Sequence, residues 1–158
     1  MRCPAFAYLP GRADEDDFVD LCNYGPELSR EVRGLTAWLP IKMHGIDAFT
    51  RCLDDKLDQA DRLAEGLRQV DGMAVVPRRS PHLPVVAFQL RSGDEARNQR
   101  LCELVCSRGN AYLATTRLPT EGLVLRACIL HHQTSQATID QLLDDVNWAV
   151  ATLRQEAT

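Results

Sequence analysis

The sequence predicts an α+β fold: a long N-terminal helix, kinked near Pro40, followed by a small domain with the order β-β-α-β-β-α. Apolar residues recur at helical spacing from Ile46 to Val70 and again from Ile139 to Leu153. Short β-type runs lie between these segments as two adjacent pairs. Adjacent strand pairs favour a four-stranded antiparallel sheet covered by helices.

The first helix is expected from Pro26, because proline suits the first turn and Glu27 complements the positive end of the helix dipole. Pro40 removes a backbone donor and clashes with the preceding turn, so it should kink or divide a helix that spans 26–72. Polar residues lie mostly away from the apolar stripe of this helix, and Lys56 is expected on the polar side.

Four short runs predict the strands. They are MAVVP, PVVAFQLR, AYLATTRL and LVLRACIL, which begin at Met73, Pro84, Ala111 and Leu123. The segment PTEG joins the last two and has the length of a hairpin connection. Asp94 can cap the helix between the strand pairs, and Gly109 is a suitable C-terminal stop.

Composition limits the classes of function. The chain has 158 residues and a formal net charge of -4, with its basic residues dispersed, which argues against a nucleic-acid interface. No window is apolar for the length that a bilayer span needs. Six irregularly spaced cysteines without a secretory segment favour a reducing cytoplasm over a disulfide framework.

No metal site is expected. Cys102 and Cys106 would share one helix face, but their neighbourhood offers no further ligands, so they are interpreted as small buried apolar residues. His131 and His132 are adjacent, and at a strand end they would point to opposite sides, which is poor geometry for binding one ion.

Five collinear segments carry a family resemblance. They are AYLP, GPELSREVRGLTAWLPIKMHG, AFTRCLDDKLDQADRLAEGLR, VVAFQLR and LVLRACILHHQT. In this order and spacing the chain resembles the C-terminal part of the group II pyridoxal-phosphate-dependent amino-acid decarboxylases. The relatives include the aromatic amino-acid, histidine, glutamate and diaminobutyrate decarboxylases, whose fold is that of the fold-type I pyridoxal phosphate enzymes. Another fold-type I enzyme, such as an aminotransferase, is a less favoured alternative.

The resemblance implies three regions: a mobile-loop remnant at 1–25, an interdomain linking helix at 26–72, and a C-terminal small α+β domain at 73–158. It also implies that the cofactor-binding domain lies outside this chain. Neither lysine, Lys42 or Lys56, matches the family's cofactor lysine, so no pyridoxal phosphate is expected on this chain alone.

The resemblance also implies site residues. Tyr8 matches a mobile-loop tyrosine thought to return a proton to the substrate carbon after carbon dioxide leaves, although an ordinary loop aromatic would look the same. Ser29 matches a substrate-pocket position, with a helix-surface serine as the alternative. Arg30 matches an arginine near the domain junction. Arg126 matches one that approaches substrate or cofactor in some relatives, with ion pairing inside the fold as the alternative.

Two departures, Glu31 and Val32, replace an arginine and an aromatic residue that are common in relatives, which weakens the expectation of an intact site. We therefore expect a decarboxylase portion that is inactive without its N-terminal cofactor domain or the product of a separate gene. The alternative is a stand-alone, non-catalytic binding module. Exposed apolar residues at 26–45 predict a homodimer.

Overall fold

The computed structural model describes residues 32–77 and 83–156. The chain divides into two compact units after Gly45. The described part of the first unit is helix α1 (Arg33–His44). The second contains α2 (Ile46–Gln69), β1 (Met73–Val75), β2 (Val85–Leu90), α3 (Glu95–Ser107), β3 (Ala114–Leu118), β4 (Gly122–Cys128) and α4 (Gln136–Gln155). This order confirms the predicted α+β fold.

The predicted long helix is interrupted at Gly45. Pro40, where the kink was expected, lies inside α1. Gly45 has φ +78° and donates its N–H to Ile41 O at 2.8 Å. Glycine adopts this left-handed conformation without a steric penalty and commonly ends a helix, which accounts for the position of the break. Residues 26–31 of the predicted helix lie outside the described residues.

The four strands form one antiparallel sheet in the order β1-β2-β4-β3. Phe88 of β2 stands beside Leu125 of β4, and Thr115 of β3 stands on the other side of Leu125. Because side chains alternate along a strand, these residues share one sheet face. Phe88 and Leu125 are fully buried in the hydrophobic core, and α2 and α3 contact the sheet strands, so this is the covered face.

Helix α2 contributes to the core through its C-terminal half. Ala60, Leu63, Ala64 and Leu67 are buried there. The same apolar stripe continues toward the N-terminus through Ile46, Phe49 and Leu53, which are exposed. The second compact unit starts at Ile46, and α2 contacts β1, β2 and α4 within it.

Side-chain caps stabilise the N-termini of α3 and α4. Asp94 is the N-cap of α3, as predicted, and its carboxylate accepts from the backbone N–H groups of Ala96 at 2.9 Å and Arg97 at 3.2 Å. Ser135 caps α4 through a capping box with Thr138. These side chains satisfy backbone donors that have no partner inside their own helix.

Asn98 joins three elements of the core. It lies in α3 and is fully buried. Its Oδ1 accepts from Leu90 N, at the end of β2, at 2.8 Å, and its Nδ2 donates to Leu123 O, in β4, at 3.0 Å. One side chain thus holds α3 against the two central strands.

We predict that Asn98→Leu lowers the free energy of unfolding by about 2–6 kcal/mol, because leaving a buried donor and acceptor unpaired costs about 1–3 kcal/mol each. Chemical denaturation of both proteins measures the change. The control is Gln99→Leu, at an exposed neighbouring position of α3, which should change stability by less than about 0.5 kcal/mol. Equal effects of the two substitutions would contradict the bridging role of Asn98.

Candidate functional site

Three of the four predicted site residues, Tyr8, Ser29 and Arg30, lie outside the described residues. The fourth, Arg126, is exposed in β4. It stands between Ala87 of β2 and Ala114 of β3. Within the described ranges no carboxylate pairs with it, so the alternative of an ion pair inside the fold is not met there.

Arg126 belongs to the sheet face opposite the core, which we call the outer face. The register and the alternation of side chains assign its members. They are Ala74, Val85, Ala87, Gln89, Ala114, Thr116, Leu118, Gly122, Val124, Arg126 and Cys128. The core residues Phe88 and Leu125 lie on the opposite face of the sheet. The single charged member of the outer face distinguishes it from a typical solvated sheet face, which carries many polar residues.

Two residues at the centre of the outer face are unusually enclosed. Val124 has no exposed surface, although it is outside the main core cluster. Gln89 stands opposite Ala74 of β1, and its Oε1 is buried without a hydrogen-bond partner. A buried acceptor without a donor is energetically costly in an isolated domain. Both groups are enclosed by this chain itself, whereas Arg126 and Cys128 on the same face are exposed.

Lys56 is buried, which corrects the expectation that it lies on the polar side of its helix. Its side chain is only 4% exposed, and its ammonium group donates to Thr134 O at 2.7 Å, Asp55 Oδ2 at 3.0 Å and Gln59 Oε1 at 3.3 Å. The Gln59 amide donates to Thr134 O at 2.9 Å and to Asp55 Oδ2 at 2.9 Å. This cluster fastens the β4–α4 connection to α2.

The sequence did not predict a second buried charged residue, Asp145. Asp145 of α4 is 1% exposed and accepts from Arg108 at 2.9 Å and Asn110 at 3.0 Å. The Arg108 guanidinium also lies 5.0 Å from the ring centroid of Trp148. The segment RGN after α3 contained these partners, but sequence spacing does not pair them with a residue 35 positions away. The contacts are structural, since they fix the end of α3 to α4.

The interpretation of both cysteines as buried holds for Cys102, whereas Cys106 is only partly buried against the core. Cys102 is buried, and both its Sγ and that of Cys106 lie near Leu113 O, at 3.6 Å and 3.7 Å. Burial, followed by the neighbouring Cys106, raises the pKa of the Cys102 thiol to about 11, so it stays protonated at neutral pH. The described residues contain no group of metal ligands.

The two adjacent histidines do not point apart as expected. The ring centroids of His131 and His132 lie 4.6 Å from each other at an interplanar angle of 33°. The expectation was wrong because β4 ends at Cys128, so the strand alternation does not extend to these positions. Both are exposed in the connection to α4.

Comparison with known proteins identifies relatives of this chain. No family model matches the chain. The aromatic-L-amino-acid decarboxylase of Bacillus atrophaeus is 31% identical over 132 residues, covering 79% of this chain and 27% of that protein. The chain belongs to the group II pyridoxal-phosphate-dependent decarboxylase family. It spans about a quarter of the length of this curated relative.

Solved structures of the family share the fold. Oryza sativa TDC, solved with PLP and tryptamine, matches with a TM-score of 0.73 at 20% identity, covering 81% of this chain and 28% of that one. Mouse CSAD in the apo form matches with a TM-score of 0.69 at 19% identity, covering 87% and 32%. The glutamate decarboxylase domain of diaminobutyrate-pyruvate transaminase and L-2,4-diaminobutyrate decarboxylase from Vibrio parahaemolyticus matches with a TM-score of 0.62 at 22% identity, covering 75% and 26%. No described helix of this chain has the length and apolar character of a membrane span.

The described residues do not fit a pyridoxal phosphate site. In such a site the cofactor aldehyde needs a free lysine amine, and the phosphate needs a cradle of donors. The buried Lys56 ammonium already has three acceptors. Lys42 is exposed in the last turn of α1, among side chains none of which is buried. No cofactor chemistry is therefore assigned to the described residues.

We predict that pyridoxal phosphate followed by borohydride labels Lys42 but not Lys56 in the native chain, because an enclosed, hydrogen-bonded ammonium cannot reach the aldehyde. Peptide mass spectrometry locates the label. The same reaction in denaturant serves as the control and should label both lysines. Labelling of Lys56 in the native chain at the extent of Lys42 would contradict the buried position.

Proposed function

We propose that this chain is the C-terminal portion of an amino-acid decarboxylase and acts together with a cofactor-binding domain. Its relatives are decarboxylases, and the chain matches only about a quarter of the curated one. In the proposed enzyme, an α-carboxylate leaves an amino acid as carbon dioxide, and the bound cofactor supplies the electron sink. The cofactor-binding domain would supply the lysine, since Lys56 is buried in structural contacts.

The outer face, on which Arg126 and Cys128 are exposed, is the observation that carries this proposal. A four-stranded sheet with one face under helices and the other nearly free of charge normally packs against a further layer. On this face Gln89 holds a buried, unpartnered acceptor, and Arg126 offers the single charge. We infer that the cofactor-binding domain covers the exposed part of the outer face and supplies an acceptor for Arg126.

The residues assigned by resemblance take roles within this enzyme. Tyr8 would donate a proton to the substrate carbon after carbon dioxide leaves, since a phenol can act as a general acid and a closed loop excludes water. Ser29 and Arg30 would line or border the substrate pocket, and Arg126 would approach it from the sheet. The alternatives stated for each residue remain open. We place the enzyme in the cytoplasm, where the four free cysteines of the described ranges stay reduced.

We predict that the purified chain alone decarboxylates no amino acid and gains activity with the cofactor-binding domain encoded upstream of it, in the same reading frame or in a neighbouring gene. Ala87→Glu should weaken this association at least tenfold, or about 1.4 kcal/mol, because the new carboxylate stands opposite Arg126 and would occupy it in place of the domain's acceptor. Calorimetric titration measures the binding.

The matched control is Gln99→Glu, which adds the same charge at an exposed position of α3. It should bind the domain like the unchanged chain, and circular dichroism should show that both variants fold. If the chain alone decarboxylates an amino acid, the proposal that it needs a cofactor-binding domain is wrong. Binding that Ala87→Glu leaves intact would show that the outer face is not the contact. Failure to bind any such domain would favour the stand-alone module.

We further propose that the chain associates as a homodimer through α1. This helix has no buried residue. Its exposed apolar side chains are Leu35, Trp38, Leu39, Ile41 and Met43. An apolar surface of this kind is commonly covered by a partner, and the commonest oligomer is a two-fold dimer.

Trp38→Asp should dissociate the dimer with little loss of secondary structure, because Trp38 is 56% exposed and its ring is not part of a core. Analytical ultracentrifugation measures the association, and circular dichroism measures the fold. Thr36→Asp, at an exposed polar position of the same helix, is the control and should leave the dimer in place. A monomeric wild-type chain at high concentration, or unfolding by Trp38→Asp, would refute the exposed interface.

A further inference from the structure

Three arginines from different elements line one small cleft, which we call the arginine cleft. Arg91 directly follows β2, Arg97 lies in the first turn of α3, and Arg154 lies in the last turn of α4. Leu90, Val150 and Leu153 form apolar parts of its wall. The cleft measures about 180 Å³. It is smaller than the roughly 300 Å³ at which sites for drug-sized ligands begin, so a small ligand suits it.

Two of these arginines have unused donors. Arg91 donates to Met73 O at 3.4 Å, and Arg97 donates to Leu153 O at 3.5 Å. Neither has a carboxylate within ion-pair distance among the described residues. A guanidinium carries five N–H donors, so most donors of both side chains remain available to a ligand.

The acidic groups around the cleft are already engaged. Asp71 binds Arg154 at 2.7 Å, and Glu156 binds Arg100 at 2.8 Å. The ion pair with Arg100 lowers the pKa of Glu156, which keeps that carboxylate charged. The Asp94 carboxylate is occupied by the first turn of α3. Arg91 and Arg97 therefore leave uncompensated positive charge at the cleft.

We propose that the arginine cleft binds a small dianionic oxyanion of the phosphate monoester class. Planar guanidinium groups match tetrahedral phosphate oxygens through paired, charge-assisted hydrogen bonds. An anion between Arg91 and Arg97 also relieves the repulsion between like charges that share a small space. This site is independent of the outer face, since its arginines belong to the sheet end, α3 and α4.

The site can be tested by titrating the full chain with inorganic phosphate and monitoring the backbone amides by NMR. Chloride is the balancing anion and keeps the ionic strength constant. Saturable shifts should centre on Gly72, Ser92 and Arg97. The variant Arg91→Gln/Arg97→Gln should weaken phosphate binding at least tenfold, because each lost charge-assisted hydrogen bond costs that order of affinity.

Arg62→Gln is the control, since it removes the same charge from an exposed ion pair with Asp140, about 20 Å along α4 from Leu153 at 1.5 Å per residue. It should leave phosphate affinity unchanged. The proposal is wrong if phosphate causes no saturable shifts or if Arg62→Gln weakens phosphate binding as much as the double variant does. It is also wrong if the double variant still binds phosphate with the original affinity. Succinate is the second probe, and tighter binding of this dicarboxylate at the same residues would overturn the phosphate assignment.

Discussion

One-sided coverage of the sheet is the constraint on which the rest of this structure depends. Side chains alternate across a strand, so committing Phe88 and Leu125 to the helical side commits Ala87 and Arg126 to the opposite side. The first set is buried in the core, whereas in the second set Ala87 is half-buried and Arg126 is exposed. Register, rather than any single motif, thus determines which residues can meet another protein surface.

Buried polar groups keep that arrangement in register. Asn98 connects α3 to the ends of β2 and β4, and Lys56 with Gln59 holds the connection before α4. Each group has partners for its main donors or acceptors, which is the condition under which burial of a polar side chain is tolerated. The outer face departs from this pattern at Gln89, because the buried Oε1 of this side chain has no hydrogen-bond partner.

Local chemistry in the sequence predicted much of the fold. Helical spacing identified α2 and α4, Asp94 identified the start of α3, and the PTEG segment identified the β3–β4 hairpin. Tertiary contacts were not predictable in the same way. Lys56 occupies a position that periodicity treats as polar, and its burial depends on Thr134, 78 residues away. Arg91 and Arg97 are unremarkable in sequence, and only the packing of α4 beside α3 gives them a common cleft. Tyr8, Ser29 and Arg30 rest on resemblance alone.

The strand order also affects how readily the chain can aggregate through its sheet edges. In the order β1-β2-β4-β3, the first and last strands each pair with one neighbour among the described residues, and strand edges that stay unpaired can recruit strands from other molecules. Here β1 is only three residues long and Pro77 follows shortly after it. Strand β3 carries the Arg117 ion pair with Glu95 and is followed by Pro119. Short length, charge and proline are features that discourage edge-to-edge aggregation, so the chain can expose its sheet for a partner without forming fibres at its edges.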